Sequence, residues 1–192
     1  MLPEPIAVTM LVIDALEKVG AAYVIGGSLA SMIHGVVRTT LDTDIVADLS
    51  LRQAQPFADL LAGAFYLDID TLRHAIQRHS SFNVIHLATM FKVDIFIPQN
   101  RPFDRQQLAR RQPWTADPDS GRVFYVTSPE DTVLAKLAWY RLGSEISDRQ
   151  WRDILGVLVV QGERLDFSYM GQWAVSLGVS DLLERALGEV VG

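Results

Sequence analysis

Apolar residues fall at helical spacing from the start of the chain. Ile6, Met10, Ile13 and Leu16 share one face, which predicts an amphipathic helix over 5–19 closed by Gly20. The pattern then tightens to a short apolar run at 22–25, the length of a buried strand, broken by Gly26-Gly27-Ser28. A short helix over 29–34 ends at Gly35. Strands are expected at 44–49 and 65–67, with a helix at 51–62 between them and another capped by Asp70 and running to about 79. The β-rich runs 82–87 and 91–97, separated by Ala88-Thr89-Met90, read as a hairpin. A basic helix at 104–111 follows, then a loop over 113–121 marked by two prolines and Asp-Ser-Gly, then a strand at 122–126.

Beyond this point strands stop. Ser128-Pro129-Glu130-Asp131 carries a cap residue, a first-turn proline and first-turn acids, and helices are predicted over 131–142, 148–161, 169–177 and 182–190. The expected architecture is α+β: a mixed sheet flanked by helices over 1–127, followed by a C-terminal helical bundle over 128–192 packed on it.

Composition narrows the functions open to this fold. Apolar residues make up 49% of the 192, enough to bury a core. A net charge of -6 argues against sequence-independent coating of nucleic acid, which needs many cationic contacts. The chain has no cysteine, so disulfides, thiolate zinc sites and cysteine nucleophiles are excluded. The apolar runs 6–13 and 154–160 are shorter than the ~18 residues of a membrane span. The start, Met1-Leu2-Pro3-Glu4-Pro5, lacks the basic stretch of a secretory signal, so a cytoplasmic protein without membrane contact is expected.

The candidate chemistry begins at the glycine break. Gly26 and Gly27 allow close backbone approach, and Ser28 stands at a helix start, where free N–H groups favour phosphate. Asp42 and Asp44, two positions apart at the mouth of a strand, project from one face and need a cation between them. Mg²⁺ suits such a pair, because it takes few protein carboxylates and completes its octahedron with water and phosphate oxygens. Asp94 interrupts the apolar run Phe91-Lys92-Val93-Asp94-Ile95-Phe96-Ile97, a place where an acid is costly unless paired, solvated or metal-bound. The same two-residue spacing recurs at Asp68/Asp70, explained by helix capping, and at Asp117/Asp119, explained by a turn. Only Asp42/Asp44 has a Gly-Ser turn upstream and a strand acid downstream.

This combination resembles the nucleotidyltransferase fold superfamily, and more closely the AbiEii-like toxin nucleotidyltransferases of bacterial toxin–antitoxin and phage-defence systems. Three stretches carry the resemblance: Ile25-Gly26-Gly27-Ser28, Arg38-Thr39-Thr40-Leu41-Asp42-Thr43-Asp44-Ile45, and Ser128-Pro129-Glu130-Asp131 leading to Lys136. It implies that Gly26, Gly27 and Ser28 hold a nucleoside triphosphate and that Asp42 and Asp44 bind Mg²⁺, with room for two ions. Asp94 would bind metal too, or act as base toward the attacking hydroxyl. Lys136 would reach the triphosphate or nucleotide. Arg38 would contact phosphate or pair with Asp42 or Asp44.

The implied reaction moves a nucleoside monophosphate to a hydroxyl of an RNA (a tRNA among them), a protein or a small molecule, with a cognate antitoxin as a further partner. Arg101, Arg105, Arg110 and Arg111 form a local basic stretch that could face RNA or simply solvent. The sequence departs from the family over Asp148-Arg149-Gln150-Trp151-Arg152-Asp153, where Arg152-Asp153 stands and the family's lysine is absent. That departure is the feature favouring the alternative, a non-catalytic nucleotide-binding or antitoxin-like regulatory protein. Dinucleotide-binding and P-loop motifs are absent, as is the G-x-S-x-G elbow of serine hydrolases. His34, His74, His79 and His86 lack metal-ligand spacing.

Overall fold

The computed structural model describes residues 4–35, 42–117 and 121–191. Arg38, expected to contact phosphate or to pair with Asp42 or Asp44, and Asp119, expected in a turn, lie outside them. The described chain divides into two compact units, Met1–Gly26 with Thr40–Val126 and Gly27–Thr39 with Thr127–Gly192.

The first unit is built on seven strands: β1 (Ala22–Ile25), β2 (Asp42–Asp48), β3 (Phe65–Tyr66), β4 (Ser81–His86), β5 (Lys92–Phe96), β6 (Gln112–Asp117) and β7 (Arg122–Val126). They lie in the order β3-β4-β5-β2-β1-β7-β6. The sheet is mixed: β2 is parallel to β5 and β1 to β7, while β1/β2, β3/β4, β4/β5 and β6/β7 are antiparallel. Four helices belong to this unit, α1 (Glu4–Lys18), α3 (Leu51–Leu61), α4 (Ile69–Arg78) and α5 (Pro102–Ala109).

Alternation along the central strands sorts their side chains. Thr43, Ile45 and Ala47 of β2, Val93 and Ile95 of β5, and Phe82 and Val84 of β4 are register neighbours on one buried face. Helices cover that face. The Thr9 and Thr43 hydroxyls are hydrogen-bonded at 3.0 Å between α1 and β2, and Phe57 of α3 meets Phe82 edge-on with ring centroids 6.4 Å apart. The opposite face presents Asp42 and Asp44, Lys92 and Asp94, and Ser81 and Asn83, all partly or fully exposed. On β2, β4 and β5 one face therefore supplies the core and the other keeps these polar side chains partly exposed.

Two of the differences from the sequence expectation have a plain physical reason. Residues 112–117 form β6, paired with β7, where a loop was expected at 113–121. Pro113 is tolerated because β6 is the last strand in the order, so the ladder loses no bond from its missing N–H on the open edge. Helix α4 is capped by Asp68 rather than Asp70: Thr71 N–H donates to Asp68 Oδ1 at 2.6 Å. That bond holds the Asp68 carboxyl below its usual range.

The second unit consists of α2 (Gly27–His34), α6 (Pro129–Leu142), α7 (Asp148–Gln161), α8 (Phe167–Leu177) and α9 (Ser180–Val191). Three of the long helices start on side-chain caps, in which Ser128, Ser147 and Asp166 accept from the N–H groups of Asp131, Gln150 and Tyr169. Leu134, Leu137, Ile154, Leu158, Met170, Ala174 and Ala186 fill the space between α6, α7, α8 and α9. Helix α2 packs on α6 and α7. No helix among the described residues is long and apolar enough to cross a membrane.

Candidate active site

Strand pairing brings the predicted acids together. In the parallel ladder of β2 and β5, Asp42 lies opposite Lys92 and Asp44 opposite Asp94. Register neighbours share a face, so the three carboxylates and the lysine stand on adjacent strands of the partly exposed side. Asp42 and Asp44 lie within β2, which begins two residues before the predicted strand. The glycine break is tied to the same place, because Gly26 N–H donates to the Asp44 carbonyl at 2.9 Å. This bond extends the β1/β2 pairing and fixes the backbone that carries the second acid.

Lys92 is the residue sequence reasoning passed over. Its Nζ lies 2.6 Å from Asp94 Oδ2, with the lysine side chain 41% and the aspartate 20% exposed. The bond to Asp94 raises the affinity of Lys92 for its proton, and the charges of Asp94, Asp42 and Asp44 add to it. The signal was available in the sequence, since strand alternation puts residue 92 on the same face as residue 94.

The donor set suits a hard divalent ion: three carboxylates on one accessible face offer oxygen ligands and leave room for water and phosphate. Among the described residues no group of three or more histidines and acids is drawn close enough to hold a metal by itself. Asp94 turns its carboxylate to Lys92.

The remaining predicted residues belong to the helical unit. Gly27 opens α2 with φ of 55°, a value glycine adopts without strain, and Ser28 follows on its first turn, buried. Lys136 on α6 is buried, and its Nζ donates to Asp153 Oδ2 of α7 at 2.8 Å, with side chains 9% and 3% exposed. Asp153 thus takes part through Lys136 rather than beside Arg152, which bonds back to the Asp148 carbonyl on its own helix. His34 at the end of α2 donates from Nε2 to the Thr127 carbonyl at 2.6 Å. Burial holds its pKa below the ordinary histidine value, against the opposing pull of that bond and of Glu130.

The basic stretch on and after α5 is partly committed elsewhere. Arg101 forks onto Asp104 at 2.9 Å, and the Arg111 guanidinium lies 4.7 Å from the centre of the Tyr125 ring.

The chain has the nucleotidyltransferase fold. Solved structures bear this out. The chain is similar to ANT(2'')-Ia in complex with adenylyl-2''-tobramycin, with a TM-score of 0.57 at 12% identity over 90% of this chain and 95% of that one. It is similar to an antigenic nucleotidyltransferase-like protein from Paracoccidioides brasiliensis, with a TM-score of 0.55 at 18% identity over 98% and 94%. It is also similar to the lincosamide antibiotic adenylyltransferase LnuA bound to lincomycin, with a TM-score of 0.51 at 14% identity over 81% and 96%. No protein-family model and no curated protein sequence matches the chain.

Proposed function

We propose that the protein is a Mg²⁺-dependent nucleotidyltransferase that moves a nucleoside monophosphate from a triphosphate to an acceptor hydroxyl. The observation that carries this reading is the juxtaposition of Asp42, Asp44 and Asp94 on adjacent strands at one accessible face of this particular fold. Similar structures hold adenylyl-2''-tobramycin and lincomycin, which favours a small molecule over RNA or protein as the acceptor.

In this reading each group has a separate task. Asp42 and Asp44 would hold the metal, which when bound polarises the α-phosphate and neutralises the leaving pyrophosphate. Asp94 would complete the ligand set or take the proton of the acceptor hydroxyl as it attacks in line. The N–H groups at the start of α2, opened by Gly27 and Ser28, would receive phosphate oxygens. A nucleotide role for Lys136 rests on the sequence resemblance alone; on α6 it is bonded to Asp153. The AbiEii-like resemblance, with its toxin–antitoxin setting, rests on the sequence motifs alone.

Titration calorimetry tests the reading. ATP, GTP, CTP and UTP are titrated with and without Mg²⁺ into the wild type and into the double variant Asp42→Asn, Asp44→Asn. We expect one nucleotide to bind only with Mg²⁺ and to lose that binding in the variant. Nucleotide binding that ignores both the metal and the substitutions would sink the reading, and so would no binding at all. Persistent Mg²⁺-independent binding would leave the non-catalytic nucleotide-binding protein as the better account.

A further inference from the structure

Lys92 stands where the carboxylates most need a cation. It is beside Asp42 in the register and two positions from Asp94 on its own strand, while Asp44 lies opposite Asp94. Three carboxylates gathered on one face repel one another, and each lowers the cost of a positive charge among them. Lys92 supplies that charge, with its ammonium 2.6 Å from Asp94 Oδ2. A lysine is suited to provisional duty of this kind. Its ammonium is a compact point charge on a flexible four-carbon stem, with none of the bidentate grip of arginine. At 41% exposure the side chain also has solvent to move into.

We propose that Lys92 is a built-in counter-cation of Asp94, holding it until a divalent ion takes it, and so tuning the affinity of the site for that ion. The inference rests on the metal-dependent reading given above. Two effects act in the same direction. A divalent ion that uses Asp94 must first break the lysine contact, and the displaced ammonium remains near enough to repel it. A neutral side chain at position 92 removes both effects. An exposed ion pair of this kind has a modest worth, so binding of the ion should tighten by about three- to tenfold.

The measurement is binding of Mn²⁺, followed by the electron paramagnetic resonance signal of the free ion. It is made on the wild type, Lys92→Met, Lys92→Gln, Lys92→Arg and Asp44→Asn, each checked for native circular dichroism. We expect tighter binding in both neutral variants, wild-type or weaker binding in Lys92→Arg, and loss in Asp44→Asn. Unchanged or weaker binding in the neutral variants, with Asp44→Asn still deficient, overturns the role of Lys92 and leaves the metal site standing. Equal tightening in Lys92→Arg overturns it as well, since charge would then not be the cause. If neither the wild type nor the neutral variants bind Mn²⁺, the metal-dependent reading and this inference fall together.

Discussion

Lys136 and Asp153 show how burial decides the work of a charged residue. With the pair almost out of solvent, each charge helps the other to be tolerated there. Removing one partner is therefore the costly change. Lys136→Met should lower the free energy of unfolding by about 3 kcal/mol, and adding Asp153→Leu should recover much of the loss. Denaturant titration of the two variants checks this, and a single variant as stable as the wild type would refute it. The sequence singled out Lys136 through a resemblance, but did not pair it with Asp153. Asp153 lies on the next helix, and which residues of two packed helices meet depends on their rotation and register, which no local pattern encodes. Lys92 was easier to find, since strand alternation alone links it to Asp94, and an apolar run with one acid drew attention away from the lysine beside it.

Among the elements, α2 is one that depends on others. Eight residues cannot sustain a helix in water, so its stability comes from packing. Its C-terminal end is held by the His34 bond to the Thr127 carbonyl and by Gln161 Nε2, which donates to the His34 carbonyl at 2.6 Å. Gly35 lies so close to α7 that a Cβ there would meet the Val160 side chain at 2.5 Å. The lowered pKa of His34 gives this anchorage a pH dependence. Folded His34 resists protonation while the unfolded residue accepts it near the ordinary value of 6.5, so the unfolded state binds more protons in the interval below. Stability should be full above that value and fall as pH drops through it, by at most about 1.4 kcal/mol per pH unit. Unfolding free energies from pH 8 to 5 for the wild type and His34→Gln check the claim, which fails if the two curves keep the same slope. Most elements were legible in the sequence because caps and periodicity marked them, as at Ser128 and along 148–161. Strand β6 was not, because two prolines signal a loop unless the strand is known to lie at an edge, and edge position is a property of the sheet.

At the scale of the molecule, the helical unit is discontinuous in sequence. Residues 27–39 group with 127–192, and residues 40–126 of the sheet unit lie between them in the chain. A fragment of residues 127–192 would lack α2 and leave the surfaces of α6 and α7 that it covers open to water. Such a fragment should melt with a broad, weakly cooperative transition that sharpens and rises when a peptide of residues 27–39 is added. Thermal melts followed by circular dichroism check this, and an unchanged cooperative melt without the peptide would contradict it. The grouping of α2 with α6 and α7 is invisible to a reading along the chain, since it rests on contacts between residues about a hundred positions apart.

The same discontinuity has a consequence for synthesis. The chain leaves the ribosome from its N-terminus, so α2 appears when α6 is still some 95 residues from being made. At the usual pace of translation that is a wait of roughly 5 to 20 seconds. In that time Leu29 and Ala30, both buried in the finished protein, have no helical surface to pack against. All seven strands of the sheet have been made before the first partner of α2 emerges. The short apolar segment of α2 therefore waits for its helical partners through that interval, in which a chaperone at the ribosomal exit would find it exposed.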